Sequence, residues 1–181
     1  MVGATNPGTT QVDFPAAAKK LIGLRYKIVS GYKGTTDIHL AMERGEVDGR
    51  VGWSVGAMRG TKEDWYRNKL VKIILQHGLK HNKELGAIPL AQELAKNEDD
   101  RKLLELFAAR QEIGFPVFGP PSIPADRAEA LRAAYDKTMK DPEYIAEVAK
   151  MNVELAPYSG VEMQSLIEQI YATPAPVVER A

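Results

Sequence analysis

Along the first 76 residues the chain repeats one pattern: a brief apolar run, a turn rich in glycine and threonine, then apolar positions recurring at helical spacing. Residues 2–5 form the first run and Asn6, Pro7, Gly8, Thr9 and Thr10 the first turn. Residues 12–22 then place Phe14, Ala17, Ala18, Leu21 and Ile22 on one helical face, with Gly23 as the stop. Residues 26–30, rich in β-branched and aromatic side chains, predict a second strand leading through the turn 31–37 into a helix with Ile38, Leu40, Ala41 and Met42. Residues 47–53 read as a third strand broken by glycines. Next comes a helix over 62–69, with Thr61 as its N-cap and Asp64 reaching back to it. Residues 71–76 carry the clearest strand pattern of all. Four strands with helices between them predict a layered α/β fold with a mostly parallel or mixed sheet flanked by helices.

The second half has a different texture. Residues 90–110 read as helix, 114–118 as a short extended piece, and Pro120, Pro121 and Pro124 fix an extended connector. Helices over 125–140, 142–151 and 160–172 follow, with little strand among them. Such amphipathic helices need another surface against which to bury their Leu, Ile, Met and Tyr faces.

Composition narrows the partners. With 181 residues, 24 Lys+Arg against 24 Asp+Glu, and no cysteine, the chain fits one ordinary domain or two small lobes. Charge balance argues against a polyanion binder, so no nucleic acid is expected. The lack of cysteine excludes disulfides, thiolate metal sites and thiol nucleophiles but fixes no compartment. No apolar run approaches the ~20 residues that span a bilayer. The first residues lack the basic region and apolar core of a secretory signal. The expectation is that the protein stays inside the cell if this start is native, or that a signal was lost with upstream sequence.

The strongest local chemistry is the strand, Gly/Thr turn and helix N-terminus, which occurs at residues 5–10 and again at 31–36. Helix N-termini expose unsatisfied N–H groups and about half a positive charge, and threonine hydroxyls add donors, so a carboxylate fits there as well as a phosphate. The plainer reading is an ordinary turn in which threonine only caps. Neither turn carries a phosphate-loop or dinucleotide fingerprint. His39 and Glu43 stand four apart and could offer two metal ligands, but a solvated helix pair is the simpler account. His77 and His81 read as surface loop residues, Glu98, Asp99 and Asp100 as acids favouring a helix start. Ser54, Ser122 and Ser159 lie in no nucleophile-elbow context. No metal and no cofactor are expected. Core packing is the default for Trp53, Trp65 and Tyr66, with Trp53, at the end of a strand, the best placed to cover a ligand.

Residues Gly31, Tyr32, Lys33, Gly34 and Thr35, running into the segment 40–50 (LAMERGEVDGR), resemble the solute-binding receptors of tripartite tricarboxylate transporters, the family that includes the Bug proteins. The segments 3–8 (GATNPG), 71–76 (VKIILQ), 118–125 (FGPPSIPA) and 140–144 (KDPEY) fall in that family's order, so the resemblance covers essentially the whole chain. It implies a periplasmic-binding-protein-like, two-lobed receptor whose chain crosses between lobes twice, starting here at the first crossover. Residues 1–118 would be the second ligand-binding lobe, and 119–181 a helical segment returning to a first lobe whose sheet is not in this sequence. The resemblance also implies a small carboxylate ligand, membrane transporter subunits as partners, a periplasmic location and no catalysis. Carried over by position, the ligand-binding residues would be Ala4, Thr5, Gly8, Thr9 and Thr10 at the first turn, Gly34 and Thr35 at the second, and Asp48 with Gly49 at the third strand. Two alternatives stay open. One is an interaction module forming a homodimer through its C-terminal helices; the other is a hydrolase or lyase using Asp48 with His39.

Overall fold

The computed structural model describes residues 1–114, 116–151 and 155–180. The predicted rhythm of the first third is present with shorter strands. Strands β1 (Val2–Gly3), β2 (Ile28–Val29) and β3 (Gly49–Arg50) form a parallel sheet in the order β2-β1-β3. Val2 lies opposite Ile28 and Gly49, and Gly3 opposite Val29 and Arg50. Bonding between the first two segments continues past the strands, with Ala4 N donating to Val29 O at 2.9 Å and Gly31 N to Thr5 O at 3.0 Å. The expected strands over 26–30 and 47–53 contract because Gly31 (φ +106°) and Gly52 (φ +71°) turn the chain out of the sheet in a conformation other residues rarely adopt.

Helix α1 (Thr10–Leu21) follows β1, and its apolar face buries Phe14, Pro15, Ala17, Ala18 and Leu21. Helix α2 (Thr35–Glu43) follows β2 and buries Ile38, His39 and Ala41. It packs directly on the sheet: a Cβ at Gly3 would come 2.8 Å from Ile38 Cγ2, so only glycine admits that approach.

Three expectations change. Residues 71–76 do not form a strand; the segment's ladder contact is one parallel bridge from Gln76 to Leu90, and Leu75 packs sideways against the core instead. The helix expected over 62–69 begins earlier, as α3 (Val55–Arg67), with Ser54 Oγ accepting from Ala57 N at 3.1 Å and a kink at Lys62. Thr61 is not a cap; its hydroxyl donates back to Ala57 O at 2.7 Å. The helix read over 90–110 is two pieces, a 3₁₀ turn (Ala91–Leu94) and α4 (Glu98–Glu112). Ala95 is extended between them, and Asn97 restarts the helix by accepting from Asp100 N at 2.8 Å.

Helices α5 (Ala125–Thr138), α6 (Pro142–Lys150) and α7 (Gly160–Tyr171) match the three expected helices, and a short α8 (Ala175–Val178) was not expected. Of the extended piece 114–118, Phe115 lies outside the described residues, as do 152–154 and 181 in the C-terminal segment.

The chain divides into two compact units. The first comprises Met1–Trp53, Lys72–Glu112 and Pro174–Ala181. Its core joins Ala17 and Leu21 of α1, Ala91 of the 3₁₀ turn, Leu103 and Leu104 of α4, and Val177 of α8. The second comprises Ser54–Val71 and Ile113–Thr173, and is helical. Among the described residues, no helix is long and apolar enough to cross a membrane.

Candidate functional site

In a parallel sheet all strands point their carboxyl ends to one edge, and helices that follow them begin there. The first unit places the N-termini of α1 and α2 at that edge. From β1 the chain crosses to β2 on one side, and from β2 it crosses past β1 to β3 on the other. Open α/β sheets hold ligands in the crevice beside such a reversal, which here falls between the carboxyl ends of β1 and β3.

Seven of the nine residues expected to bind ligand lie along this edge or lead into it. Ala4 is fully buried at the end of β1, while Thr5, Thr9 and Thr10 are half-buried and Gly8 exposed in the turn beyond. Thr5 Oγ1 and Thr9 Oγ1 are 3.4 Å apart, and Thr9 Oγ1 donates to Asn6 O at 2.7 Å. Gln11 joins the two turns: its Oε1 accepts from Thr5 N at 3.2 Å and its Nε2 donates to Thr35 Oγ1 at 3.5 Å. Thr9 is the N-cap of α1 and Gly34 the N-cap of α2, and neither caps its helix through a side chain. In α1 Val12 N donates to Thr9 O at 2.9 Å, and no N-cap side chain takes up the N–H groups of the first turn in either helix.

Asp48 and Gly49 are placed differently. Asp48 is at the amino edge, where its N–H donates to Met1 O at 2.8 Å and its exposed carboxylate pairs with the Met1 ammonium, which holds it below the usual carboxylate range. Gly49 is within β3. The structure does not bring Asp48 to the threonines.

Sequence reasoning missed a second cluster beside the turns. Gly52 approaches the start of α1 so closely that a Cβ would come 2.8 Å from Thr10 Oγ1. Its carbonyl accepts from Arg50 Nη2 at 3.1 Å, and Arg50 Nη1 is 3.0 Å from His39 Nε2. A guanidinium can only donate, so His39 Nε2 is the acceptor and the ring proton sits on Nδ1. The Arg50 guanidinium carbon lies 4.9 Å from the centroid of the Trp53 ring, and the His39 ring is 4.5 Å from Trp53. Burial pushes the Arg50 pKa down to about 10. His39 is thus not a solvated surface residue as expected; it is 4% exposed. The available signal was spacing: Arg50 and Gly52 flank the strand end that the glycine pattern already marked.

His77 departs from its surface assignment too. Its ring stacks on Phe14 at 4.6 Å with the planes 5° apart, and burial lowers its pKa to about 4. His81 Nε2 is 2.7 Å from Glu93 Oε1, and Gln76 Nε2 is 3.3 Å from His81 Nδ1, which pins the loop between Gln76 and Leu90. Among the described residues, no group of three or more His, Asp or Glu side chains is placed to hold a metal ion.

A concavity of about 510 Å³ in the second unit is lined by the Pro120–Leu131 region, and one of about 350 Å³ in the first by residues of the 31–46 region, including Tyr32, Asp37 and Arg44. Neither is lined by Thr5, Thr9 or Thr10. No family model, curated protein or solved structure matches the chain.

Proposed function

We propose that this chain is the substrate-capture component of a tripartite tricarboxylate-type transporter, or the second lobe of one, and that it holds a small carboxylate without catalysing a reaction. In this reading the first unit is a periplasmic-binding-protein-like lobe, and the membrane subunits of the transporter receive the ligand outside the cytoplasm. The observation that carries it is the meeting of two helix N-termini without side-chain caps, at Thr9 and Gly34, on the carboxyl edge of a parallel sheet, with Gln11 linking Thr5 to Thr35. Backbone N–H groups and hydroxyls in that arrangement suit a carboxylate and need no metal or cofactor.

Isothermal titration with succinate, glutarate and benzoate at millimolar concentration tests this. The expected result is saturable heat and a raised melting temperature for at least one acid. No heat and no thermal shift for any of them would sink the proposal. A second reading, self-association as an interaction module, is favoured by one observation: α5 contains no buried residue. Light scattering showing a homodimer would support it, and a clean monomer would remove it.

A further inference from the structure

We infer that Arg50 supplies the countercharge for the bound ligand, so that the site selects an ionised carboxylate over a neutral molecule of the same shape. This rests on the carboxylate-binding reading above and adds what that reading lacks, a source of charge selectivity. N–H groups at a helix end accept a carboxylate or an amide carbonyl as partner, whereas a permanently charged guanidinium separates the two strongly.

Arg50 is half-buried, and among the described residues it has no carboxylate partner. Both groups that hold it, His39 Nε2 and the Gly52 carbonyl, are neutral acceptors, and Trp53 covers one face. Its Nε–H is buried without an acceptor, so the protein's own groups leave the guanidinium's donors incompletely used. A partly desolvated cation is costly to leave without a counter-ion, and an anion arriving at the crevice provides one. The cation is also in the right place. Gly52, whose carbonyl accepts from Arg50 Nη2, lies against the start of α1, where a Cβ on it would come 2.8 Å from Thr10 Oγ1. The neutral His39 adds no charge of its own but fixes the guanidinium at the exit of β3.

The test compares wild type, Arg50→Gln and Arg50→Lys in titrations with benzoate and succinate and with their neutral counterparts benzamide and succinamide. Wild type should bind an acid and discriminate against its amide. Arg50→Gln, with its fold checked by circular dichroism, should weaken acid binding about 10- to 100-fold and bring the acid-to-amide ratio towards one. Arg50→Lys should fall between them. Arg50→Gln retaining acid affinity within about twofold of wild type would overturn the assignment of Arg50 and leave the carboxylate reading standing. Wild type binding neither class would overturn both. Should Arg50→Gln not fold, the wild-type comparison decides alone, since equal affinity for acid and amide overturns the inference.

Discussion

The two units are built from similar helices, yet they bury them very differently. In the first, α1 and α4 each bury five residues, and Ile38, Val47 and Leu103 are almost completely enclosed. In the second, α5 buries none of its 14 residues, α6 buries only Val148, and α7 only Leu166. Amphipathicity is not what separates them: α6 has Tyr144, Ile145 and Val148 along one side and Met151 at its C-cap, but Tyr144, Ile145 and Met151 stay exposed. What the first unit has, and the second lacks, is a sheet. The sheet takes α1 and α2, and α1 in turn packs with α4, the 3₁₀ turn and α8 around one cluster, whereas the helices of the second unit have only one another. Asp141 caps α6, and Ser159 and Glu162 form a reciprocal capping box on α7.

The contrast can be broken by substitution. Leu103→Ala should have the largest effect, lowering the stability of the first unit by about 2–5 kcal/mol through loss of burial and a residual cavity; a chemical denaturation midpoint close to wild type would show that the cluster around Leu103 is not the core. Acid should come next. Because the folded-state pKa of His77 is lowered to about 4 by burial, the unfolded chain takes up a proton first. Its contribution is full above the unfolded value of about 6.5 and is lost as pH falls towards the folded one, by up to about 3 kcal/mol. His77→Gln should flatten that part of the pH dependence relative to wild type, and parallel curves for the two proteins would refute it. Ser159→Ala should cost about 1 kcal/mol, read as faster amide exchange in the first turn of α7 with no change in α4. Smallest of all, Leu131→Ala on α5, where the side chain is 58% exposed, should stay within about 0.5 kcal/mol. A markedly larger loss, accompanied by a change in light scattering, would mean that α5 is covered in solution and that the two units are less different than they look.

Much of the first unit was legible because its signals are local. Glycine and threonine after short β-rich runs mark where the sheet turns into α1 and α2, and the same residues define the site edge. The failures share a cause, which is that they depend on neighbours distant in sequence. The run at 71–76 has strand composition, but whether it joins a ladder depends on a partner strand, and only Leu90 meets it. Thr61 fits an N-cap pattern as well as Ser54 does, and residues 55–60 decide between them by continuing the helix. Arg50 looks like a surface charge at a strand end until α2 brings His39 against it. Asp48 erred in the opposite sense. The resemblance puts it with Gly49 at the end of the third strand, yet it precedes that strand and so falls at the amino edge.

The four residues of α8 have a consequence for synthesis. Val177 fills the cluster with Leu103 and Leu104, and Arg180 Nη2 donates to the buried Asp100 at 2.5 Å. Between α4 and these residues in sequence lies the segment Ile113–Thr173 of the second unit. A ribosome must therefore translate that entire stretch before the first unit can be completed, and until then the apolar side of α4 stays open while the nascent chain lengthens. The closing of that core therefore waits on a single short helix.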